Sequence, residues 1–388
     1  MRIPRRTLLK GITGSAAAGI FSVAAPSILR AQDEVKIGFI APISGPFALP
    51  GIDMMQASQL AVDEINAAGI AGRKFTLLVE DNKLEPKATL DAARKLIQRD
   101  GVDAIIGVLS SPDRVAALSV TNAAEKLFIY PAFYEGGECH KYFFSTGSVP
   151  NQSVDPVVPW LMKNVGKRVY VMGNDFLYPR GMAKLIKEAV AREGGEFVGE
   201  EYYPFGTGEY GAIFQRAGAA KADVIWVMDA GQPVMVQQYR QFEMKPQLIT
   251  TMIHENLTAQ AGGAAEGVLA NSTYFNSVDT DENRKFLAAY RDRFGKKIHP
   301  TTFGEAQYDS VWLYAKAIEK AGSADRDKVL KALAEVEFAG PQGRVSFSAA
   351  NQHARVNSFV GRVNAGGLID IVESFGQTDP VVPGCKLG

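Results

Sequence analysis

The sequence predicts an α/β protein built from two doubly wound parallel-sheet lobes with a hinge between them. Short apolar segments alternate with helical segments in two successive series, which is typical of βαβ units and parallel sheets. Two segments, Ala104-Ile105-Ile106 and Val224-Ile225-Trp226-Val227, are apolar throughout, as strands covered on both faces should be. The chain also exceeds the roughly 250–300 residues at which one hydrophobic core stops growing.

The first series begins with a strand at about 36–40. Its further strands are expected at about 75–79, 102–108 and 127–130, and its helices at about 53–68, 86–99 and 112–126. Pro86 supports the second helix, because proline is favoured in the first turn. The sequence therefore predicts one complete parallel sheet before residue 150.

The second series repeats this order. Its strands are expected at about 168–172, 197–203, 223–228 and 247–252, and its helices at about 180–193, 209–220 and 232–243. After about residue 280 the pattern changes to helices at about 281–294, 303–321 and 325–335, and then to strands around 345–347, 356–363 and 368–375. The turn at 364–367 suits a hairpin.

No low-complexity linker separates the two series, so we expect the lobes to exchange segments. Lobe one is expected to comprise residues 33–150 and about 278–340. Lobe two is expected to comprise residues 151–277 and about 341–388. Such an exchange would place a tight cleft between the lobes.

The N-terminal segment predicts export. A charged start, a Gly/Ala-rich apolar stretch and a small-residue cleavage site follow one another in residues 1–31, as in a signal peptide. The pair Arg5-Arg6 before Leu8-Leu9-Lys10 looks like a twin-arginine signal. A membrane anchor is the alternative, but the apolar stretch is short for about 30 Å of hydrocarbon. We expect a periplasmic protein, soluble after signal cleavage.

Charge and cysteine content narrow the possible partners and cofactors. Loss of the five basic residues in 1–31 leaves 37 basic against 42 acidic residues, which argues against a nucleic-acid partner. Cys139 and Cys385 either form one disulfide or remain two free thiols, and the exported context favours the disulfide. The four histidines are scattered, so neither a metal site nor another cofactor is expected. Nothing in the sequence indicates oligomerisation, and a monomer is expected.

Ligands of open α/β sheets bind at the carboxyl ends of the strands, where this chain has polar, small and aromatic residues. Candidate residues follow the third and fourth strands of the first series and three strands of the second: Ser110, Ser111, Ala132, Phe133, Phe176, Tyr178, Asp229 and Glu255. Each has a structural alternative. The serines and Asp229 would cap helices, and the aromatic residues would pack in the core.

One motif is a false signal. Gly206-Thr207-Gly208-Glu209-Tyr210-Gly211 matches the dinucleotide fingerprint GxGxxG, and Asp229 follows about 20 residues later. The preceding strand contains Pro204 and is not a buried apolar run. It is also the second strand of its lobe, whereas the fingerprint belongs to the first βα turn. A nucleotide site is therefore not expected.

Several segments together resemble a known family, the type I periplasmic binding proteins. They are "IGFIAPISGP", "VDAIIGVLSS", "YPAFYEGGE", "TGSVPNQ", "GNDFLYPRG" and "PQGRVSFSAANQHA". The resemblance covers about 35–380 and is strongest to the branch that binds short amides and urea, which is related to branched-chain amino-acid binders. It implies a ligand held between two lobes that close over it.

The resemblance also implies site residues. The family's serine loop, the loop after strand four and the aromatic residue of lobe two correspond to Ser111, Ala132 with Phe133, and Tyr178. The chain departs from the amide branch at Leu109, Ala132 and Phe176, where that branch often has hydroxyl-bearing residues. These losses put urea in doubt and imply a larger or less polar ligand, because a buried donor needs a partner.

The expected function is that of the binding component of an ABC importer, which captures an amide, a urea derivative or an amino-acid-like compound and delivers it to a membrane permease. No catalytic triad or carboxylate pair is evident, so an enzyme is not expected. A ligand sensor of the same fold is the main alternative, and an exported enzyme is the other. The sensor would lack an export signal.

Overall fold

A computed structural model describes residues 34–45, 47–229 and 233–387, and it confirms the predicted fold class. The first sheet has the strand order β2-β1-β3-β4-β5, and every pairing in it is parallel. Its strands are β1 (Glu34–Ala41), β2 (Lys74–Asp81), β3 (Ala104–Ile106), β4 (Leu127–Tyr130) and β5 (Phe143–Ser145). The predicted signal peptide lies outside the described residues.

Three helices flank this sheet, and local sequence determines where they begin and end. They are α1 (Ala48–Ala68), α2 (Pro86–Arg94), which continues as a π-helical turn at Lys95–Arg99, and α3 (Ser111–Ala123). Gly69 ends α1 in the left-handed conformation that glycine adopts most readily. Pro86 opens α2, as predicted.

The second sheet repeats the strand order of the first in its parallel part, β7-β6-β8-β9-β10. Its strands are β6 (Arg168–Asn174), β7 (Glu196–Tyr203), β8 (Val224–Met228), β9 (Gln247–Thr250) and β10 (Leu269–Ser272). The helices are α4 (Pro150–Ser153), α5 (Val157–Asn164), α6 (Leu177–Arg192), α7 (Gly211–Ala219), α8 (Pro233–Gln241) and α9 (Glu255–Ala261). The two predicted series thus form two equivalent sheets.

The C-terminal part of the chain contributes elements to both lobes. Its elements are α10 (Asp281–Phe294), α11 (Thr302–Ala321), α12 (Arg326–Leu333), β11 (Glu337–Gly340), β12 (Gly343–Phe347), β13 (Ala354–Val363) and β14 (Ile369–Thr378). Helix α11 packs against α1, beside the first sheet. Strand β13 then joins the second sheet antiparallel to β10 and forms the predicted hairpin with β14.

The sequence missed the short elements β5, α4, α5, α9, β10 and β11. Strands of three or four residues are too short to show a period. The strand expected at 102–108 is shorter than predicted and ends at Ile106. Gly107 and Val108 adopt φ values of 150° and 73°, which turn the chain out of the sheet.

Cys139 and Cys385 form a disulfide in the structure, with their Cα atoms 5.2 Å apart. It joins the loop between β4 and β5 to the C-terminal tail after β14. Within residues 34–387, apart from the short undescribed gaps, no helix is long and apolar enough to cross a membrane. The same described residues contain no cluster of three or more His, Cys, Asp or Glu side chains that would hold a metal ion.

Candidate ligand-binding site

A cavity lies where the carboxyl ends of the two sheets meet, and we call it the cleft cavity. It encloses about 970 Å³, part of which is open to solvent. Its wall comes from the segments after β1, β2, β3 and β4 of the first sheet, from those after β6, β7, β8 and β9 of the second, and from the start of α11. This is the position at which open α/β sheets bind ligands.

Five of the eight predicted site residues line the cleft cavity. They are Ser110, Ser111, Phe133, Phe176 and Tyr178. The first three follow β3 and β4 in lobe one, and the last two follow β6 in lobe two. Both lobes therefore contribute to one wall.

The other three, Ala132, Asp229 and Glu255, are not part of this wall. Ala132 is buried, and its carbonyl packs directly against Gly147. A side chain at position 147 would collide with this carbonyl. Asp229 accepts a hydrogen bond from the Tyr210 hydroxyl (3.1 Å) inside lobe two. Glu255 is the first residue of α9, and its carboxylate is directed at Asn276 (3.4 Å) in an adjoining small cavity.

A continuous set of ring contacts, the aromatic belt, runs along the cavity wall. It consists of Phe47, Phe205, Phe176, Tyr178, Phe133 and Phe303. Two of its contacts join the lobes: Phe47 to Phe205 with ring centroids 4.8 Å apart, and Phe133 to Tyr178 at 5.3 Å. The belt therefore presents flat apolar surface and bridges the lobes at two points.

The serine loop after β3 is held in a strained conformation. Val108 adopts a positive φ of 73°, which is unfavourable for a β-branched residue, and its N–H donates to the Ile40 carbonyl (2.6 Å). Ser110 then caps α3, as its structural alternative predicted, by accepting a hydrogen bond from the Asp113 N–H (3.3 Å). Strain of this kind is typical of functional sites.

The two serine hydroxyls already donate to carboxylates. Ser110 donates to Asp113 (2.6 Å), and Ser111 donates to Glu135 (2.7 Å). Glu135 also pairs with the buried guanidinium of Arg114 (2.7 Å). Each serine oxygen can therefore still accept a hydrogen bond, while its own hydrogen is engaged.

The remaining polar groups of the wall are uncharged. Burial raises the pKa of Tyr178, so its hydroxyl stays protonated. Burial, together with a smaller effect of nearby His299, lowers the pKa of His254 to about 3, so this imidazole is neutral. The described wall contains no Asp, Glu, Lys or Arg side chain, and most of its members are apolar.

Comparison with known proteins agrees with this architecture. Residues 34–367 match the family model described as periplasmic binding protein. The chain belongs to this family. It is a solute-binding protein of the type that serves ABC importers. The family is periplasmic, and its members bind small ligands.

Among curated relatives, the leucine-, isoleucine-, valine-, threonine- and alanine-binding protein of Pseudomonas aeruginosa is 28% identical over 338 residues, which cover 83% of this chain and 87% of the relative. A solved solute-binding protein of an ABC transporter from Rhodopseudomonas palustris, in complex with 3,4-dihydroxybenzoic acid, is 26% identical, has a TM-score of 0.81 and covers 91% of this chain and 99% of its own. A leucine-binding protein from Thermotoga maritima superposes with a TM-score of 0.79 at 22% identity over 88% of this chain and 99% of its own, and so shares the fold.

Several wall residues were not predicted as site residues. Phe205 follows the carboxyl end of β7, so the strand-end rule would have found it. His254 follows β9 and directly precedes Glu255, so the same strand-end rule applies to it. Phe303 lies in the first turn of α11, about 170 residues from Phe133 in sequence, and no local signal marks it.

Proposed function

We propose that the chain captures a small organic solute with a flat or branched apolar body and an uncharged hydrogen-bond-donating group. The observation that carries this proposal is the aromatic belt, which spans both lobes and faces an uncharged wall. Ligand sites are usually apolar, with a few placed polar groups. The ligand is then delivered to a membrane permease.

The donating group follows from the serine loop. Because the hydrogens of Ser110 and Ser111 are engaged by carboxylates, their oxygens are suited to accept a hydrogen bond from a hydroxyl or amide N–H. The ligand of the Rhodopseudomonas relative carries two hydroxyls on an aromatic ring. The proposed ligand can still carry the amide group expected from the sequence, but its apolar body must be larger than that of urea or a short amide.

Two ligand classes fit the wall less well. Urea is polar throughout, and the apolar wall would leave most of its hydrogen-bonding groups without partners. A free amino acid carries an ammonium group, which needs an anion when it is buried. The described wall provides no carboxylate for that group.

Ligand capture is proposed to work by lobe closure. We assign residues 33–150 with about 278–340 to lobe one and the remainder of the exported chain to lobe two, supported by the packing of α11 on α1 and the pairing of β13 with β10. Only closed lobes make both inter-lobe ring contacts. A ligand that touches both lobes therefore shifts the equilibrium toward the closed form. We also propose that the chain is exported through the signal in residues 1–31. It is then expected to act as a monomer.

A thermal-shift series tests the ligand class. The compounds are 4-hydroxybenzamide, 4-hydroxybenzoate, benzamide, L-leucine and urea, each measured over a range of concentrations. A compound at 100 times its Kd stabilises the folded chain by about 2.7 kcal/mol. 4-Hydroxybenzamide is expected to give the largest shift, because the uncharged wall offers no cation for the carboxylate of 4-hydroxybenzoate. Tighter binding of urea or L-leucine would contradict the proposal.

A further inference from the structure

A second, smaller cavity lies behind the ring pair of Phe133 and Tyr178, and we call it the rear chamber. Both rings belong to its wall and to the wall of the cleft cavity. The remaining wall comes from Tyr134 and Ser148 of lobe one, from the start of lobe two, from the segments around Thr251 and Asn271, and from β13 at Ser358. The chain passes from one sheet to the other at the start of lobe two and again after Asn271, and the other segments lie beside these two crossings.

The rear chamber has the opposite chemistry to the cleft cavity. Of its wall residues only Phe133 lacks a polar side-chain atom, whereas most residues around the cleft cavity are apolar. Two oxygens in the rear wall are buried without a hydrogen-bond partner among the described residues: Oγ1 of Thr251 and Oδ1 of Asn271. Their residues are 6% and 2% exposed. Buried polar atoms are normally satisfied, so two of them in one polar chamber indicate a site.

The orientation of Asn271 defines what this site accepts. Its Nδ2 donates to the Ser153 carbonyl (3.3 Å), and the flipped amide would place two acceptor oxygens against each other. The free atom is therefore the acceptor Oδ1. Thr251 can accept or donate through its hydroxyl, and the Tyr178 hydroxyl lies near it. A group that donates to Asn271 and exchanges a hydrogen bond with Thr251 satisfies both residues, and a hydroxyl or amide does so.

We infer that the rear chamber is a specificity subsite for the far end of the ligand, which selects compounds that carry a neutral donor at the end opposite the serine loop. The aromatic belt holds the apolar body, and Thr251 and Asn271 bind a hydroxyl or amide beyond the Phe133–Tyr178 pair. The inference rests on the proposed function and deepens it. It adds two residues, Thr251 and Asn271, that were not among the predicted site residues.

The test compares two matched pairs of uncharged compounds that differ by hydroxyl against methyl: 4-hydroxybenzamide with 4-methylbenzamide, and 4-hydroxybenzyl alcohol with 4-methylbenzyl alcohol. Calorimetry measures all four against the wild type and against Thr251→Val, which keeps the side-chain shape and removes the hydroxyl. We expect Thr251→Val to weaken the hydroxyl compounds by about threefold to tenfold, the scale of one hydrogen bond. The methyl compounds should bind the variant as they bind the wild type.

Two further variants separate selectivity from folding. Thr251→Ser retains the hydroxyl and should retain the preference for hydroxyl compounds. Thr121→Val makes the same exchange at a buried position of α3 outside both cavities, and it should leave all four affinities unchanged. If Thr251→Val does not fold, Thr251→Ala, which also removes the hydroxyl, decides the question.

Each outcome bears on one of the two proposals. Equal affinity of the wild type for hydroxyl and methyl compounds, or an equal loss for both in Thr251→Val, would overturn the subsite and leave the proposed function standing. A wild-type chain that binds none of the four compounds would overturn the aromatic ligand class and the subsite together. Preference for the hydroxyl compounds that is lost in Thr251→Val alone would support both.

Discussion

Removal of the Phe205 ring is expected to weaken ligand binding without unfolding lobe two. Phe205 is 38% exposed and meets Phe47 of the other lobe edge to face, with an angle of 75° between the rings. Opening of the lobes breaks this pair. Aromatic pairs of this geometry contribute about 0.5–1.5 kcal/mol beyond area burial. Because about 1.4 kcal/mol corresponds to a tenfold change in affinity, Phe205→Ala should weaken binding by roughly 2- to 12-fold.

Calorimetric titration with the best ligand of the thermal-shift series measures the change. The matched control is Phe242→Ala. Phe242 is also in lobe two and is 43% exposed, but it packs on Gly211 and Phe214, away from the cleft. Both variants should retain a cooperative melting transition, and only Phe205→Ala should lose affinity.

A double-mutant cycle then tests whether Phe47 and Phe205 stabilise the closed form through their contact with each other. If Phe47 and Phe205 stabilise the closed form through each other, the losses in Phe47→Ala and Phe205→Ala should not add in the double variant. Small-angle scattering with saturating ligand should also show a larger open fraction in each variant. Additive losses, or a loss in Phe242→Ala as large as that in Phe205→Ala, would refute the reasoning.

Two further predictions concern stability. Burial raises the pKa of Glu255 from 4.5 to about 7, so the charged form of this side chain destabilises the folded chain. The destabilisation is absent below about pH 4.5 and complete above about pH 7. Glu255→Gln should therefore stabilise the chain relative to wild type more at pH 8 than at pH 4.5 in chemical denaturation, and a reversed trend would show the sign to be wrong. The disulfide closes a loop of 246 residues, for which chain entropy gives about 5 kcal/mol as an upper limit. Cys139→Ser should lower the melting temperature measurably, and two titratable thiols in the unfolded wild-type protein would contradict the pairing.

Most of the parallel strands, and the helix starts marked by a proline or a capping residue, were predictable because they depend on local sequence. Apolar runs identify buried strands wherever they occur, and Ser110 before a helical segment is a cap in any fold. Side-chain direction at the strand ends was not predictable in the same way. Glu255 follows β9 at the expected edge, but as the first residue of α9 its carboxylate turns toward Asn276. Phe303 reaches the site only because α11 returns to lobe one, which no local pattern indicates.

The networks behind the cavity explain why the serine loop favours a donating ligand. Arg114 is buried and pairs with Glu135 and Glu138, at 2.7 and 3.1 Å, and this pairing positions the Glu135 carboxylate behind the wall. An anionic acceptor binds the Ser111 hydrogen more strongly than a neutral ligand carbonyl would. A ligand that needs a donor from Ser111 must break that bond, whereas a ligand that offers a donor adds to it. The buried acceptor of Asn271 imposes the same requirement in the rear chamber. Two separate parts of the site therefore select for hydroxyl or amide hydrogens, and the aromatic belt between them selects for the apolar body that carries them.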